Sequence, residues 1–153
     1  VRFGNPDLSF DKVEEATKLA QVYDDIKDMP EGFETIIGEK GVSLSGGQKQ
    51  RLAMSRAMIL DPDILILDDL SAVDAKTEYA IIDNLKHTRK DKTTIITAHR
   101  LSAVVHADLI LVMQDGRIIE RGRHEDLLAQ GGWYAKTYES QQLEMEGGEE
   151  DDA

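Results

Sequence analysis

The chain has 153 residues, of which 41% are apolar, and its formal net charge is −12 at neutral pH. This length suffices for about one domain with a buried core. The chain is acidic and lacks the cluster of basic residues that is typical of nucleic-acid-binding proteins, so we expect no nucleic-acid partner. The sequence has no cysteine, which excludes disulfides and thiolate metal sites. No apolar run approaches the roughly 18 residues that a membrane-spanning helix needs.

The first third of the chain is predicted to be helical. Apolar residues recur at helical spacing over residues 11–28, and Asp11 is placed to cap that helix. A glycine-rich connection over residues 29–47 follows, and residues 48–60 have a second helical pattern that ends before a proline.

Strands then alternate with helices. Residues 64–67 are a continuous apolar run, which is typical of a strand buried on both faces of a parallel sheet, and residues 93–97 predict another buried strand. The remaining predictions are a helix over 75–88, a short helix over 101–105, a hairpin of 109–113 and 117–120 around a turn at 114–116, and helical structure over 124–143. This order predicts an α/β fold with a largely parallel sheet.

The two ends of the chain have features of their own. The sequence has no signal-peptide pattern at its start. It begins with Val1 rather than methionine, and from this we expect a fragment. Residues 144–152 include six acidic residues and no basic one, so we expect a disordered acidic tail over 144–153. The expected domain is therefore 1–143, with a helical part over about 1–60 and the strands and later helices over 61–143.

A serine and two glycines open the second predicted helix. The first backbone N–H groups of a helix have no intrahelical partner, and together with the helix dipole they form an anion site. Gly46 and Gly47 allow a phosphate to approach the backbone, and Ser45 can donate a hydrogen bond as well. Taken alone, this segment favours the simpler interpretation of a serine-capped helix behind a flexible loop.

Three polar residues follow predicted strands and favour the phosphate interpretation. Asp68 ends the run 64–67, where a carboxylate at the carboxyl edge of a sheet can bind Mg²⁺. Asp69 comes next and could orient an attacking water. His99 stands just beyond the strand 93–97, at the same expected edge, and could contact a γ-phosphate.

In combination these segments resemble the C-terminal part of an ATP-binding cassette (ABC) transporter nucleotide-binding domain. The resemblance extends over nearly the whole chain before the acidic tail, and residues 115–122 and 124–128 resemble the following segment of exporter-type members. The matching motifs are the LSGGQ signature at Leu44, Ser45, Gly46, Gly47 and Gln48, the Walker B aspartate at Asp68, the D-loop at Ser71, Ala72, Val73 and Asp74, and the switch histidine at His99.

The resemblance implies a fold, a reaction and partners. The fold would be a partial P-loop NTPase with a helical signature subdomain, a largely parallel sheet, and a C-terminal hairpin and helices. Two such domains would enclose ATP and Mg²⁺ head to tail, so that the signature contacts an ATP held by the partner domain. Hydrolysis, with Asp69 and His99 as catalytic residues, would drive export of a drug-like or lipid substrate through transmembrane domains. The domain would lie at the cytoplasmic face of the membrane.

Three departures from the family pattern qualify this expectation. No G-x-x-x-x-G-K-[ST] loop occurs in the 153 residues, so we expect the isolated chain to bind ATP weakly. Asp69 stands where the family has glutamate, as in the degenerate subunit of bacterial heterodimeric multidrug exporters. One residue is missing between Asp69 and the D-loop, which should strain the strand-to-helix turn. Two alternatives remain open: a non-enzymatic remnant that only pairs with a partner domain, and an ABC ATPase of DNA repair.

Overall fold

The computed structural model describes residues 1–2, 5–38 and 41–148. The chain divides into two compact units, Val1–Thr97 and Ala98–Ala153. The first contains α1 (Phe10–Leu19), α2 (Tyr23–Lys27), α3 (Gly46–Met58), β1 (Ile64–Leu67), α4 (Ala75–Thr88) and β2 (Thr93–Ile96). The second contains β3 (Ile110–Gln114), β4 (Arg117–Gly122), α5 (His124–Gln130) and α6 (Trp133–Gly148). Single 3-10 turns lie at Gly32–Glu34 and Leu101–Ala103.

The predicted helix over 11–28 is in fact two helices. Gln21 has a φ of +55°, which breaks the helix between α1 and α2. The flanking Ala20 and Val22 are both buried in the core, and the break allows both side chains to point inward. The predicted cap at Asp11 is also wrong. The N-cap is Ser9, without a side-chain hydrogen bond, and Asp11 lies in the first turn of α1.

The helix α3 begins two residues earlier than the sequence predicts. Glycine has a low helix propensity, so the pattern alone placed the start after Gly47. A capping box at Ser45 and Gln48 overrides this propensity and begins the helix at Gly46. The buried side chains of α3 are Met54, Ser55 and Met58, which fixes the side of the helix that faces the core.

The strands β1 and β2 pair in parallel, as predicted, with Ile64 opposite Thr93 and Leu67 opposite Ile96. The expectation that both strands are buried on both faces is wrong. Leu65 and Leu67 join the apolar core formed with α3 and α4, but Ile64 and Ile66 are 61% and 63% exposed. The side chains of a strand alternate between its faces, and within the described residues the helices cover one face of this two-stranded sheet. Residues on β2 alternate in the same way.

The predicted hairpin is confirmed as β3 and β4, which pair antiparallel. Its turn consists of Asp115 and Gly116, with φ values of +49° and +73°. Two positive φ values are characteristic of the type I′ turn that suits the twist of a hairpin. A register shift between Val112 and Met113 marks a β-bulge.

The second unit has its own core, built from Leu101, Ile110, Val112, Leu127 and Tyr134. The predicted helix at 101–105 is only a 3-10 turn of three residues. The predicted helical stretch 124–143 is interrupted by Gly131, whose φ of +63° ends α5 in the left-handed conformation.

The C-terminal helix α6 runs to Gly148, so the first five residues of the expected acidic tail are helical here. Residues 149–153, the remainder of that predicted tail, lie outside the described residues. Among the residues that the structure describes, no helix combines the length and apolarity that crossing a bilayer requires.

Candidate functional site

The signature segment forms the exposed N-terminal end of α3. Ser45 Oγ accepts a hydrogen bond from the Gln48 backbone N–H at 3.2 Å, and Gln48 Oε1 accepts from the Ser45 backbone N–H at 3.0 Å. These two bonds satisfy two of the donors at the helix end. The N–H groups of Gly46 and Gly47 have no intrahelical acceptor at this position and Gly46 is exposed, so this end of α3 can receive an anion.

A carboxylate on α2 accepts hydrogen bonds from two side chains of α3 near this helix end. Asp25 Oδ1 accepts from Gln48 Nε2 at 2.8 Å, and Asp25 Oδ2 accepts from Arg51 Nη1 at 2.7 Å. Arg51 also donates to the Gln21 carbonyl, next to the break between α1 and α2. Partial burial works to raise the pKa of Asp25, but the hydrogen bonds from Gln48 and Arg51 outweigh it and hold that pKa below its ordinary value.

Sequence reasoning missed Asp25 entirely. Arg51 of α3 forms an ion pair with this residue at 2.7 Å. The carboxylate that completes it is 26 residues away along the chain. Nothing in the local pattern around residue 25 distinguishes it from its neighbour Asp24.

The D-loop packs directly on the glycines of the signature. A Cβ atom placed on Gly47 would lie 2.8 Å from the carbonyl oxygen of Ala72, whereas one on Gly46 would lie 3.9 Å from the Ala72 Cβ. Gly47 is therefore needed for close approach of two backbones. Gln50, one turn further along α3, donates through Nε2 to the Asp69 carbonyl oxygen. The structure thus brings the predicted signature and D-loop together within the first unit.

Asp68 is held at the carboxyl end of β1 by a threonine that the sequence analysis did not single out. Thr97 Oγ1 donates to Asp68 Oδ1 at 2.7 Å and accepts from the Asp69 backbone N–H at 2.9 Å. Thr97 follows β2, and its own N–H extends the parallel ladder to the Leu67 carbonyl at 3.0 Å. The signal available in the sequence was its position at the end of a strand beside the one that carries Asp68.

Asp69 begins a tight turn into α4. Its φ is +52°, and its Oδ1 accepts from the Ser71 N–H at 2.9 Å. Leu70 and Val73 are both 2% exposed, and the Val73 N–H bonds to the Leu70 carbonyl at 3.0 Å. The short turn therefore places two apolar anchors in the core while one residue adopts the left-handed conformation, which costs a non-glycine residue roughly 1 kcal/mol.

Asp74 has a structural task in addition to its predicted place in the D-loop. Its Oδ1 accepts from the Thr77 backbone N–H at 3.0 Å and caps α4. The hydrogen bond with Thr77 holds the pKa of Asp74 below its ordinary value. Of the remaining predicted D-loop residues, Ser71 and Ala72 are exposed and Val73 is buried.

The surroundings of Asp68 are compatible with Mg²⁺. The carboxylate is exposed, and the hydrogen bond from Thr97 engages only Oδ1. No group of three or more histidine or acidic side chains suited to a metal occurs among the described residues. Mg²⁺ is commonly held by one or two carboxylates together with water and substrate phosphates. Asp68, at the carboxyl end of β1, fits that pattern.

His99 belongs to the second unit, whereas Asp68 and Asp69 belong to the first. The side chain of His99 is exposed, and its backbone carbonyl accepts from Gln141 Nε2 at 2.8 Å. Gln141 Oε1 in turn accepts from the Leu101 N–H at 2.8 Å. One glutamine on α6 therefore fixes the backbone on both sides of Arg100, and sequence reasoning did not identify it.

The sequence is similar to those of known proteins over most of its length. A family profile described as ABC transporter matches residues 4–72. A probable multidrug resistance ABC transporter ATP-binding/permease protein of Bacillus subtilis, YheI, is 57% identical over 144 residues, which are 94% of this chain and 25% of that protein. The multidrug resistance-like ATP-binding protein MdlA of Escherichia coli is 49% identical over 94% of this chain and 25% of its own length.

A solved structure agrees with these sequence matches. A bacterial Atm1-family ABC exporter with ATP bound superimposes with a TM-score of 0.81 and 40% identity, covering 91% of this chain and 24% of that one. The chain is an ABC transporter ATP-binding domain. More narrowly, it is homologous to the nucleotide-binding domains of multidrug ABC exporters, and it spans about a quarter of the length of these relatives.

Proposed function

We propose that this chain supplies the signature, Walker B, D-loop and switch segments of an ATP-hydrolysing module in an ABC exporter. The observation that carries the proposal is the packing of the exposed, capped end of α3 on the D-loop at Gly47 and Ala72. This contact joins an anion-binding helix end to the loop that begins at Asp69. A phosphate-binding element and a carboxylate pair thereby lie in one packed part of the first unit.

In the proposed reaction each group acts at a defined place. Ser45 and the N–H of Gly47 donate to the γ-phosphate of an ATP held mainly by a second nucleotide-binding domain. Asp68 would hold Mg²⁺, and the ion when bound would neutralise phosphate charge. Asp69 accepts a hydrogen bond from the attacking water, and His99 donates to the γ-phosphate. Water and ATP then give ADP and inorganic phosphate.

We further propose that the two ATP sites of the assembly are unequal. The carboxylate of Asp69 is one methylene shorter than that of glutamate, which withdraws it by about 1.5 Å. A displacement near 1 Å in a positioning group can reduce a rate on the order of 10²-fold. The signature segment is intact, so it would complete a fully active site on a partner with a different sequence, in a heterodimer.

The expected setting is the cytoplasmic face of a membrane. The relatives named as multidrug resistance proteins favour a drug-like substrate, with lipid as the other class, moved by transmembrane domains that this module would drive. Since the 153 residues contain no G-x-x-x-x-G-K-[ST] loop, we propose that the isolated chain binds ATP weakly and hydrolyses it poorly. Calorimetric titration of the chain with Mg-ATP tests this directly, and tight binding would contradict it.

The decisive experiment compares substitutions at Ser45 and Asp69 in the full-length protein that carries this chain. Ser45→Ala should depress ATP turnover far more than Asp69→Asn, because the signature serves the more active site. Ser45→Asp provides a sharper variant, since it keeps a capping acceptor for Gln48 but places a negative charge against the phosphate. Ser9→Ala, at a helix start without a side-chain cap bond, is the matched control. Equal losses from Ser45→Ala and Asp69→Asn would refute the asymmetry.

A further inference from the structure

The Asp25 side chain is the centre of a hydrogen-bonded chain that ends at the signature serine. Its two carboxylate oxygens accept from Gln48 Nε2 at 2.8 Å and from Arg51 Nη1 at 2.7 Å. The side chain is 27% exposed and that of Arg51 is 16% exposed, so water competes only partly for these bonds. Hydrogen bonds to a charged group are stronger than those between neutral groups.

The chemistry of Asp25 determines which way the Gln48 amide points. An ionised carboxylate can only accept hydrogen bonds, so the NH₂ end of Gln48 must face Asp25. The oxygen end then faces the Ser45 backbone N–H, from which it accepts at 3.0 Å. If the amide were reversed, the Gln48 NH₂ would face the Ser45 backbone N–H, and the Gln48 oxygen would face the Asp25 carboxylate. Neither pair could form a hydrogen bond.

We propose that Asp25 is a positioning residue for the phosphate-binding end of α3, acting through Gln48 on Ser45. This inference rests on the proposed function, because it assigns Asp25 to the same ATP contact. Arg51 donates to the second oxygen and also to the Gln21 carbonyl, so it links the Asp25 carboxylate to the backbone at the break between α1 and α2. The guanidinium also compensates the negative charge of Asp25, which would otherwise oppose binding of an anion nearby.

The test compares two carboxylates of the same region in the full-length protein. Asp25→Ala removes the acceptor for Gln48, whereas Glu14→Ala removes a carboxylate that accepts from the Tyr23 hydroxyl at 3.2 Å and is 32% exposed. Asp25→Ala should lower kcat for ATP hydrolysis roughly tenfold or more, with a smaller change in KM, because a displaced donor acts mainly in the transition state. Asp25→Asn keeps one acceptor oxygen and should restore part of the loss. Glu14→Ala should leave kcat within about twofold of the unchanged protein.

A double substitution separates this inference from the proposed function. If Asp25 acts through Ser45, adding Asp25→Ala to Ser45→Ala should cost little more turnover than Ser45→Ala alone. Should Ser45→Ala lower turnover while Asp25→Ala behaves like Glu14→Ala, the positioning role is overturned and the proposed function stands. Should Ser45→Ala leave turnover unchanged, the proposed function fails instead.

A measurement independent of turnover decides the positioning role in either case. Amide hydrogen exchange at Ser45 and Gln48 reports the two bonds of the capping box directly. Asp25→Ala should accelerate exchange at both amides at least several-fold, and Glu14→Ala should not. Unchanged exchange in Asp25→Ala would overturn the inference whatever the ATPase result.

Discussion

Replacing the two signature glycines one at a time tests the contact between α3 and the D-loop. At both positions alanine gains helix propensity worth about 1 kcal/mol over glycine. At Gly47, however, the new Cβ would lie 2.8 Å from the carbonyl oxygen of Ala72, so one backbone must move. At Gly46 the nearest atom is the Ala72 Cβ at 3.9 Å, which is ordinary contact. Overpacking of this kind costs about 1–3 kcal/mol.

Because the gain in helix propensity is the same at both positions, it cancels when the stabilities of the two variants are compared. Gly46→Ala should be neutral or slightly stabilising, and Gly47→Ala should be less stable than Gly46→Ala by about 1–3 kcal/mol. Urea denaturation of the purified chain, followed by circular dichroism, measures both free energies of unfolding. Equal stability of the two variants would refute the argument that Gly47 is required by the D-loop. In the full-length protein, Gly47→Ala should also reduce ATP turnover more than Gly46→Ala.

Three further predictions follow from the hydrogen bonds of the site. The pKa of Asp25 is lowered in the folded protein, so its ionised form stabilises the fold at pH values above the unfolded pKa of about 4, and this contribution is lost at lower pH. The difference in unfolding free energy between the unchanged protein and Asp25→Asn, measured by denaturation curves, should therefore disappear below about pH 4. Thr97→Val removes the hydroxyl that bonds to Asp68 and should destabilise by about 0.5–1.5 kcal/mol in urea titrations, whereas a stability equal to that of Thr97→Ser would contradict this. Gln141→Ala should lose about 1–2 kcal/mol and speed exchange of the Leu101 amide, and unchanged exchange would show that the bonds around His99 contribute nothing.

The sequence predicted the elements well where one local signal dominated. Asp115 and Gly116 predicted the hairpin because few other dipeptides accept two positive φ values. The break at Gln21 was not predictable, since glutamine is a good helix former and the burial of both its neighbours forces the conformation. The alternating exposure of β1 depends on which faces the helices cover, and a run of apolar residues carries no information on that.

The residues of the site likewise fall into those that a local pattern identifies and those that it does not. Ser45 and Asp68 stood out because each joins a polar group to the end of a regular element. Asp25 and Thr97 act through partners that are distant in sequence, at 23 residues for Gln48 and 29 residues for Asp68. Such pairs are created by packing, so local patterns identify one member and not the other.

The left-handed backbone of Asp69 connects two departures from the family pattern, the aspartate itself and the spacing to the D-loop. Aspartate is among the few residues that tolerate this conformation, because its short carboxylate can bond to a nearby backbone N–H, here that of Ser71. Glutamate at the same place would lose that local bond and keep the strain. We therefore expect the residue that the family pattern has before the D-loop, and that this sequence lacks, to be coupled to the aspartate at position 69. Asp69→Glu alone should weaken the fold without raising turnover, and only a variant that also lengthens the turn should regain activity.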